Sequence, residues 1–111
     1  MKVFVSSVIS GFEHERDAVE RAARTLGHDV IRAEEYPASP ESPRRACLAG
    51  VREADVVVLL LGRRYGAPQA SGISPTHEEY REAKDRSDVL AFVQKGVEYE
   101  SAQRDFISEV R

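Results

Sequence analysis

Two adjacent glutamates, Glu78 and Glu79, lie in the stretch SGISPTHEEYREA, which begins like a loop and ends like a helix. A carboxylate there could stabilise a developing positive charge or attack an electrophilic carbon. It could equally be part of an acidic first turn, which favours the helix dipole. If Thr76 were the N-cap, Glu79 would complete a capping box. Because proline prefers the first helical position, Ser74 and Pro75 are the better start, and Glu79 then falls in the second turn without a capping role.

Hydroxyl, guanidinium and phenol groups follow the apolar runs of the chain and could form a binding site around such a carboxylate. Arginine pairs with phosphate in bidentate fashion, and tyrosine can stack on a base or a ring. This set suits a nucleotide or a sugar phosphate. The serines could instead simply end a strand, the arginines could be solvated, and the tyrosine could cover the edge of the core. The candidate ligand-binding residues are Ser6, Ser7, Arg64, Tyr65 and Ser74.

Other chemistry finds little support in the residue pattern. The chain has neither GxGxxG nor GxxxxGK[ST], so no dinucleotide fingerprint and no P-loop is present. The three histidines, His14, His28 and His77, lack the spacing of metal ligands. Cys47 is the only cysteine and is expected in the core. We therefore predict no metal site and no bound cofactor.

The order of apolar and amphipathic segments predicts the elements that carry these side chains. Short apolar strands are expected in KVFVSSV, HDVIRAEE, DVVVLLLG and DVLAFVQ, each followed by a helical segment. This alternation predicts an α/β fold, a three-layer sandwich with a parallel sheet in the flavodoxin-like strand order 2-1-3-4. The continuous run DVVVLLL should be its central strand, buried on both faces.

Local signals place the ends of the first two helices. The first should start with a capping box, bury one apolar face and stop at a glycine; the residues are Ser10 and Glu13 for the box, Val19, Ala22, Ala23 and Leu26 for the face, and Gly27 for the stop. The stretch YPASPESP, with three prolines, should be a loop. Ser42 and Pro43 should then begin the second helix, which buries Cys47.

In an open parallel sheet, ligands bind beyond the carboxyl ends of the strands, at the point where the strand order reverses. For the order 2-1-3-4 this point lies between strands one and three. Ser6 and Ser7 should therefore face the stretch GRRYG, with the loop 71–76 above them delivering Glu78 and Glu79. Glu34, Glu35 and Tyr36 should follow the second strand.

Composition limits the class of protein. The 111 residues allow one domain, and a net charge of −3 with a pI near 5.6 argues against a nucleic-acid-binding face. The longest apolar run is too short to span a bilayer, and no signal peptide is apparent. A single cysteine fits a reducing compartment. We expect a cytoplasmic protein that contacts neither nucleic acid nor membrane.

The segments VFVSSVISGFEHERDAV, EEYPASPESPRRACLAGVREADVVVLLLGRRYG and SGISPTHEEYREA together resemble the bacterial domain of unknown function 4062 (DUF4062). That family is similar to TIR domains and to nucleoside 2-deoxyribosyltransferases. The resemblance implies an N-terminal module of a longer protein, with fused downstream domains and a last strand that this chain lacks. It also implies a role in bacterial signalling or defence.

In TIR-type NAD hydrolases and in deoxyribosyltransferases, a glutamate early in the helix after strand three is catalytic. The local form, Glu followed by an apolar residue, two variable residues and alanine, is matched by Glu79, Tyr80 and Ala83. The resemblance thus implies an N-glycosidase that cleaves NAD or a related nucleotide with Glu79. The alternative is a non-catalytic module for signalling or self-association.

Overall fold

The computed structural model describes residues 1–31 and 43–111, and within them strands and helices alternate as predicted. The strands are β1 (Lys2–Ser6), β2 (Asp29–Ile31), β3 (Val56–Leu61) and β4 (Asp88–Val93). The helices are α1 (Glu13–Thr25), α2 (Pro43–Glu53), α3 (Pro75–Ala83) and α4 (Ser101–Val110). The predicted proline-rich loop, the Ser42 cap and the residues expected after the second strand, Glu34, Glu35 and Tyr36, lie outside the described residues.

The four described strands form one parallel sheet in the order β2-β1-β3-β4, which confirms the predicted fold class and strand order. β3 pairs with β1 on one side and β4 on the other. Five of its six residues are buried, since helices cover both of its faces. None of the described helices has the length and apolar character needed to cross a membrane.

The helices form layers on either side of the sheet. On one face, α1 covers the strands through Val19 and Ala23, which pack with alternate residues of β1 and β3. On the other face, α2 and α3 pack on Phe4 and Val57, while α4 contributes Phe106 to a third cluster. This arrangement is the predicted three-layer sandwich, and it leaves the carboxyl ends of the strands open on one side.

Helix α1 differs from its prediction in its start and in its buried face. Ser10 forms no capping box, because α1 begins at Glu13 with Phe12 as N-cap, and Glu13 Oε1 accepts from the backbone N–H of Gly11 at 2.7 Å. Ala22 and Leu26 are exposed, whereas the buried residues of the helix are Arg16 and Ala23, with Val19 partly buried. Gly27 ends the helix as predicted, with a φ of +85° that suits glycine.

Candidate active site at the carboxyl ends of the strands

The two serines at the end of β1 point to opposite sides of the sheet, because successive side chains of an extended chain alternate. Ser6 is fully buried and donates its hydroxyl to Oε1 of Glu79 at 2.7 Å. Ser7 donates to the carbonyl of Val8 at 2.7 Å and accepts from Nη1 of Arg16 at 2.8 Å. One serine therefore contacts α3 and the other contacts α1.

Helix α3 starts where the residues Ser74 and Pro75 predict. Ser74 is the N-cap, its hydroxyl accepts from the backbone N–H of His77 at 3.2 Å, and Pro75 occupies the first turn. Glu79 consequently lies in the second turn, beyond the capping positions, and it is buried, with only 5% of its surface exposed. Glu78 is only partly buried and is not among the described residues that line the site.

A cavity of about 350 Å³ lies at this edge of the sheet and has Glu79 in its wall. Its size is at the lower end of the range usual for small-molecule sites, about 300–1,000 Å³. Polar side chains line it on several sides, and apolar residues of the loops after β1 and β3 complete the wall. The described lining residues are Val5, Ser7, Val8, Ile9, Ser10, Arg16, Cys47, Arg64, Gly66, Ala67, Gln69, Pro75, Thr76 and Glu79.

The predicted site residues are thus divided between the cavity and its frame. Three of them line the cavity, namely Glu79, Ser7 and Arg64. Ser6 is not among the described lining residues and donates a hydrogen bond to Glu79. Ser74 is buried as the cap of α3. The loop after β3 approaches the cavity at Gly66, whose φ of +94° requires glycine.

Tyr65 occupies a place different from the expected one. Its ring packs in the core, with an edge-on contact to Phe106 at 6.1 Å between ring centroids. Its hydroxyl lies 2.6 Å from Nδ1 of His77 and accepts from the backbone N–H of Ser74 at 3.2 Å. Instead of presenting a face for stacking to a ligand, Tyr65 supports the start of α3.

Sequence reasoning missed Arg16. Its guanidinium is only 1% exposed, lies in the cavity wall and donates to the Ser7 hydroxyl. The signal was present, because Phe12, Arg16, Val19 and Ala23 follow the period of a helix and place the arginine in the stripe that faces the sheet. The apolar residues by themselves predict a face rotated toward Leu26, which is exposed.

A group of hydrogen bonds joins α3 to α4. Nε2 of His77 lies 3.0 Å from Oε1 of Glu109, and Arg81 donates to both oxygens of that carboxylate, at 2.8 and 3.1 Å. These hydrogen bonds, first that of Arg81, lower the pKa of Glu109 to about 2. The same pairing raises the pKa of Arg81. The imidazole also stacks on Phe106 with 4.2 Å between ring centroids.

Across residues 1–31 and 43–111, no three His, Cys, Asp or Glu side chains come together in a group that could hold a metal ion. The thiol of Cys47 lies in the cavity wall, and the residue is 9% exposed.

The parallel sheet in the order β2-β1-β3-β4 with its helices is an α/β fold shared by 2-deoxyribosyltransferase-like and TIR-like proteins. The sequence matches the model of the domain of unknown function DUF4062 over residues 2–109, and the chain belongs to that family. No curated protein matches this chain at a significant level.

Solved structures share the fold at low sequence identity. The CMP N-glycosidase BcmB of Clostridium botulinum superposes with a TM-score of 0.62 at 14% identity, over 97% of this chain and 81% of that chain. A 2-deoxyribosyltransferase of Bacillus psychrosaccharolyticus gives 0.65 at 20% identity, over 95% of this chain and 81% of its own. A prokaryotic SEFIR domain gives 0.52 at 15% identity, over 98% and 94% respectively.

Proposed function

We propose that this chain is a nucleotide-binding domain that cleaves the N-glycosidic bond of NAD or a related nucleotide, with Glu79 as the catalytic carboxylate. The observation that carries the proposal is the carboxylate itself. It is 5% exposed, hydrogen-bonded by a buried serine at 2.7 Å, and in the wall of a cavity at the switch point. A carboxylate in that setting has a cost of burial that a structural role on the outside of a helix would avoid.

The chemistry requires little beyond that carboxylate. The bond between C1′ of the ribose and the base nitrogen breaks, and its electron pair goes to the nitrogen. For nicotinamide this neutralises a cationic ring, so no general acid is needed. The positive charge left on C1′ is stabilised, or captured covalently, by Glu79. Water then adds to C1′ and loses a proton to solvent, giving the free base and the ribosyl product.

The cavity wall offers partners for the rest of such a substrate. Arg64 is exposed at the mouth and suits a phosphate, while the hydroxyl of Ser7 suits a ribose hydroxyl. Apolar residues such as Val8, Ile9 and Pro75 offer a surface for the base. The likeness to a CMP N-glycosidase and to a deoxyribosyltransferase supports a substrate with a ribose-to-base bond, although the fold alone does not select the base.

The test is base release from NAD, nicotinamide mononucleotide, CMP and their nucleosides by purified protein at high concentration. We expect turnover of at least one of them, and a loss of about 100-fold or more in Glu79→Gln, since the amide cannot stabilise the cationic centre. Glu78→Gln is the matched control and should keep most of the activity. Circular dichroism should show that both variants fold. Absence of Glu79-dependent base release from every compound would refute the proposal.

The second candidate is a non-catalytic module that assembles with a second copy of itself, as part of a larger signalling protein. The observation in its favour is an apolar surface on β4, where Leu90 and Phe92 are 53% and 58% exposed. The likeness to a SEFIR domain is compatible with this function. It predicts self-association that Glu79→Gln leaves unchanged, and sedimentation velocity on that variant separates the two candidates.

A further inference from the structure

Ser6 is a buried polar residue of the candidate site. It is fully buried and belongs to β1, where it pairs with Leu59 of β3 in the middle of the sheet. Its hydroxyl donates to Oε1 of Glu79. It is not among the described residues that line the cavity, unlike Ser7. This location suits contact with another side chain and not with a ligand.

We propose that Ser6 is the positioning residue of Glu79, whose hydroxyl holds the carboxylate in one rotamer and favours its charged form. The inference rests on the proposed function, because it assigns a role in the reaction attributed to Glu79. It replaces the expected role of Ser6 as a ligand-binding residue.

The geometry supplies the physical reason. A separation of 2.7 Å between two oxygens is typical of a hydroxyl that donates to a carboxylate. Such a bond favours the ionised acid, and it is strengthened where water is excluded. A glutamate has three side-chain torsions, and a hydrogen bond to its carboxylate restricts them.

The sheet fixes the position of the Ser6 hydroxyl that makes this hydrogen bond. Ser6 is the last residue of β1, and β1 is hydrogen-bonded to β2 on one side and to β3 on the other. The position of its oxygen is therefore set by the sheet and not by a loop. A direct hydrogen bond thus joins Glu79, on the second turn of α3, to the sheet.

The experiment is a ¹³C NMR titration of glutamate side-chain carboxyl groups in the full chain, with the Glu79 signal identified by its loss in Glu79→Gln. We expect Ser6→Ala to move the titration midpoint of Glu79 upward by about one unit, the size expected for a lost hydrogen bond to a charged group. Ser6→Thr keeps the hydroxyl and should restore the midpoint. Ser6→Cys, a weaker donor of similar volume, should give an intermediate value and serves if another variant does not fold.

Ser87→Ala is the matched control, since that part-buried hydroxyl donates to the carbonyl of Ala54 and is not among the described residues that line the cavity. It should leave the Glu79 midpoint within about 0.2 units of the wild-type value, as expected for a group without direct contact. An unchanged midpoint in Ser6→Ala would overturn the proposal, as would an equal shift in Ser87→Ala.

Kinetics supply the second readout. On the substrate identified by base release, Ser6→Ala should lower kcat about 10- to 100-fold and change KM less than about twofold, because Ser6 acts on Glu79 and not on the ligand. Equal changes in kcat and KM, or none, would also overturn it. If no compound is turned over, the proposed function fails, whereas the NMR titration still reports whether Ser6 controls the carboxylate.

Discussion

Ser6 and Ser7 are chemically identical neighbours with opposite structural roles. The alternation of an extended chain turns Ser6 toward Glu79 on α3 and Ser7 toward Arg16 on α1. The pair thus holds a carboxylate and a guanidinium that line one cavity from the two sides of the sheet. A buried guanidinium is costly unless its N–H groups find acceptors, and both the hydroxyl and the carbonyl of Ser7 serve it, the latter at 3.5 Å.

Loss of the Ser7 hydroxyl should therefore lower the stability of the fold. We expect Ser7→Ala to lower the free energy of unfolding by about 1–3 kcal/mol, the usual cost of depriving a buried polar group of a partner. Urea denaturation measures it. The exposed Ser71, changed to Ala, is the control and should alter stability by less than about 0.5 kcal/mol. Equal stability of both variants would show that Ser7 contributes nothing to holding Arg16.

At the scale of elements, α3 is fixed both at its start and along its side. Ser74 caps the first turn, and Tyr65 contacts both Ser74 and His77. Further along, His77 and Arg81 meet the carboxylate of Glu109 on α4. Because Glu79 lies between His77 and Arg81 in the sequence, the same contacts hold the backbone of the candidate catalytic residue.

The pH dependence of the free energy of unfolding should report the contacts of His77 and Arg81 with Glu109. The pKa of Glu109 is lowered to about 2 from an ordinary value of 4.5, so its pairing stabilises the fold above pH 4.5. That contribution is lost as the pH falls from 4.5 toward 2. Glu109 is partly exposed, so Glu109→Gln should cost only about 1 kcal/mol at pH 7.

The measurement is urea denaturation between pH 7 and pH 2, and the difference between wild type and Glu109→Gln should shrink toward zero at the acid end. The exposed Glu98, changed to Gln, is the control and should show a difference near zero at each pH. If the difference in free energy of unfolding between wild type and Glu109→Gln does not depend on pH, the stabilisation by Glu109 does not come from its charge.

At the scale of the whole molecule, the sheet is covered unevenly. α1 covers the central strands on its face, but Leu90 and Phe92 of β4 remain more than half exposed on that side. They pair in register with Val58 and Leu60 of β3, which are buried. β4 is also one of the two edge strands of the described sheet. An edge with exposed apolar side chains is a surface on which a second chain can pair.

The second candidate function includes self-association through this surface. A single charged substitution tests it. Phe92→Lys should lower the weight-average mass seen by sedimentation at high protein concentration, because a lysine on an edge strand opposes pairing. Leu26→Lys changes an equally apolar residue, 74% exposed at the end of α1, and should not affect the mass. If both variants sediment like the wild type, β4 is not a contact surface between copies.

The sequence by itself determined the succession of elements, the central place of β3 and the start of α3 at Ser74. These features depend on apolar periodicity and on the chemistry of a proline after a serine, which act over a few residues. The residue pattern also indicated Glu79 as the candidate catalytic residue. The two errors about α1 have the same local origin. The S-x-x-E pattern predicted a capping box at Ser10 that does not form, and the apolar residues alone predicted the wrong buried face.

Only the tertiary structure decided which polar groups meet. Ser6 and Glu79 are 73 residues apart, and Tyr65, His77 and Glu109 belong to three separate segments. Their contacts follow from strand order, register and helix rotation acting together, because an error of one residue in a strand reverses the side to which its side chain points. For that reason the sequence could name Ser6, Ser7 and Tyr65 as site residues but could not assign their partners.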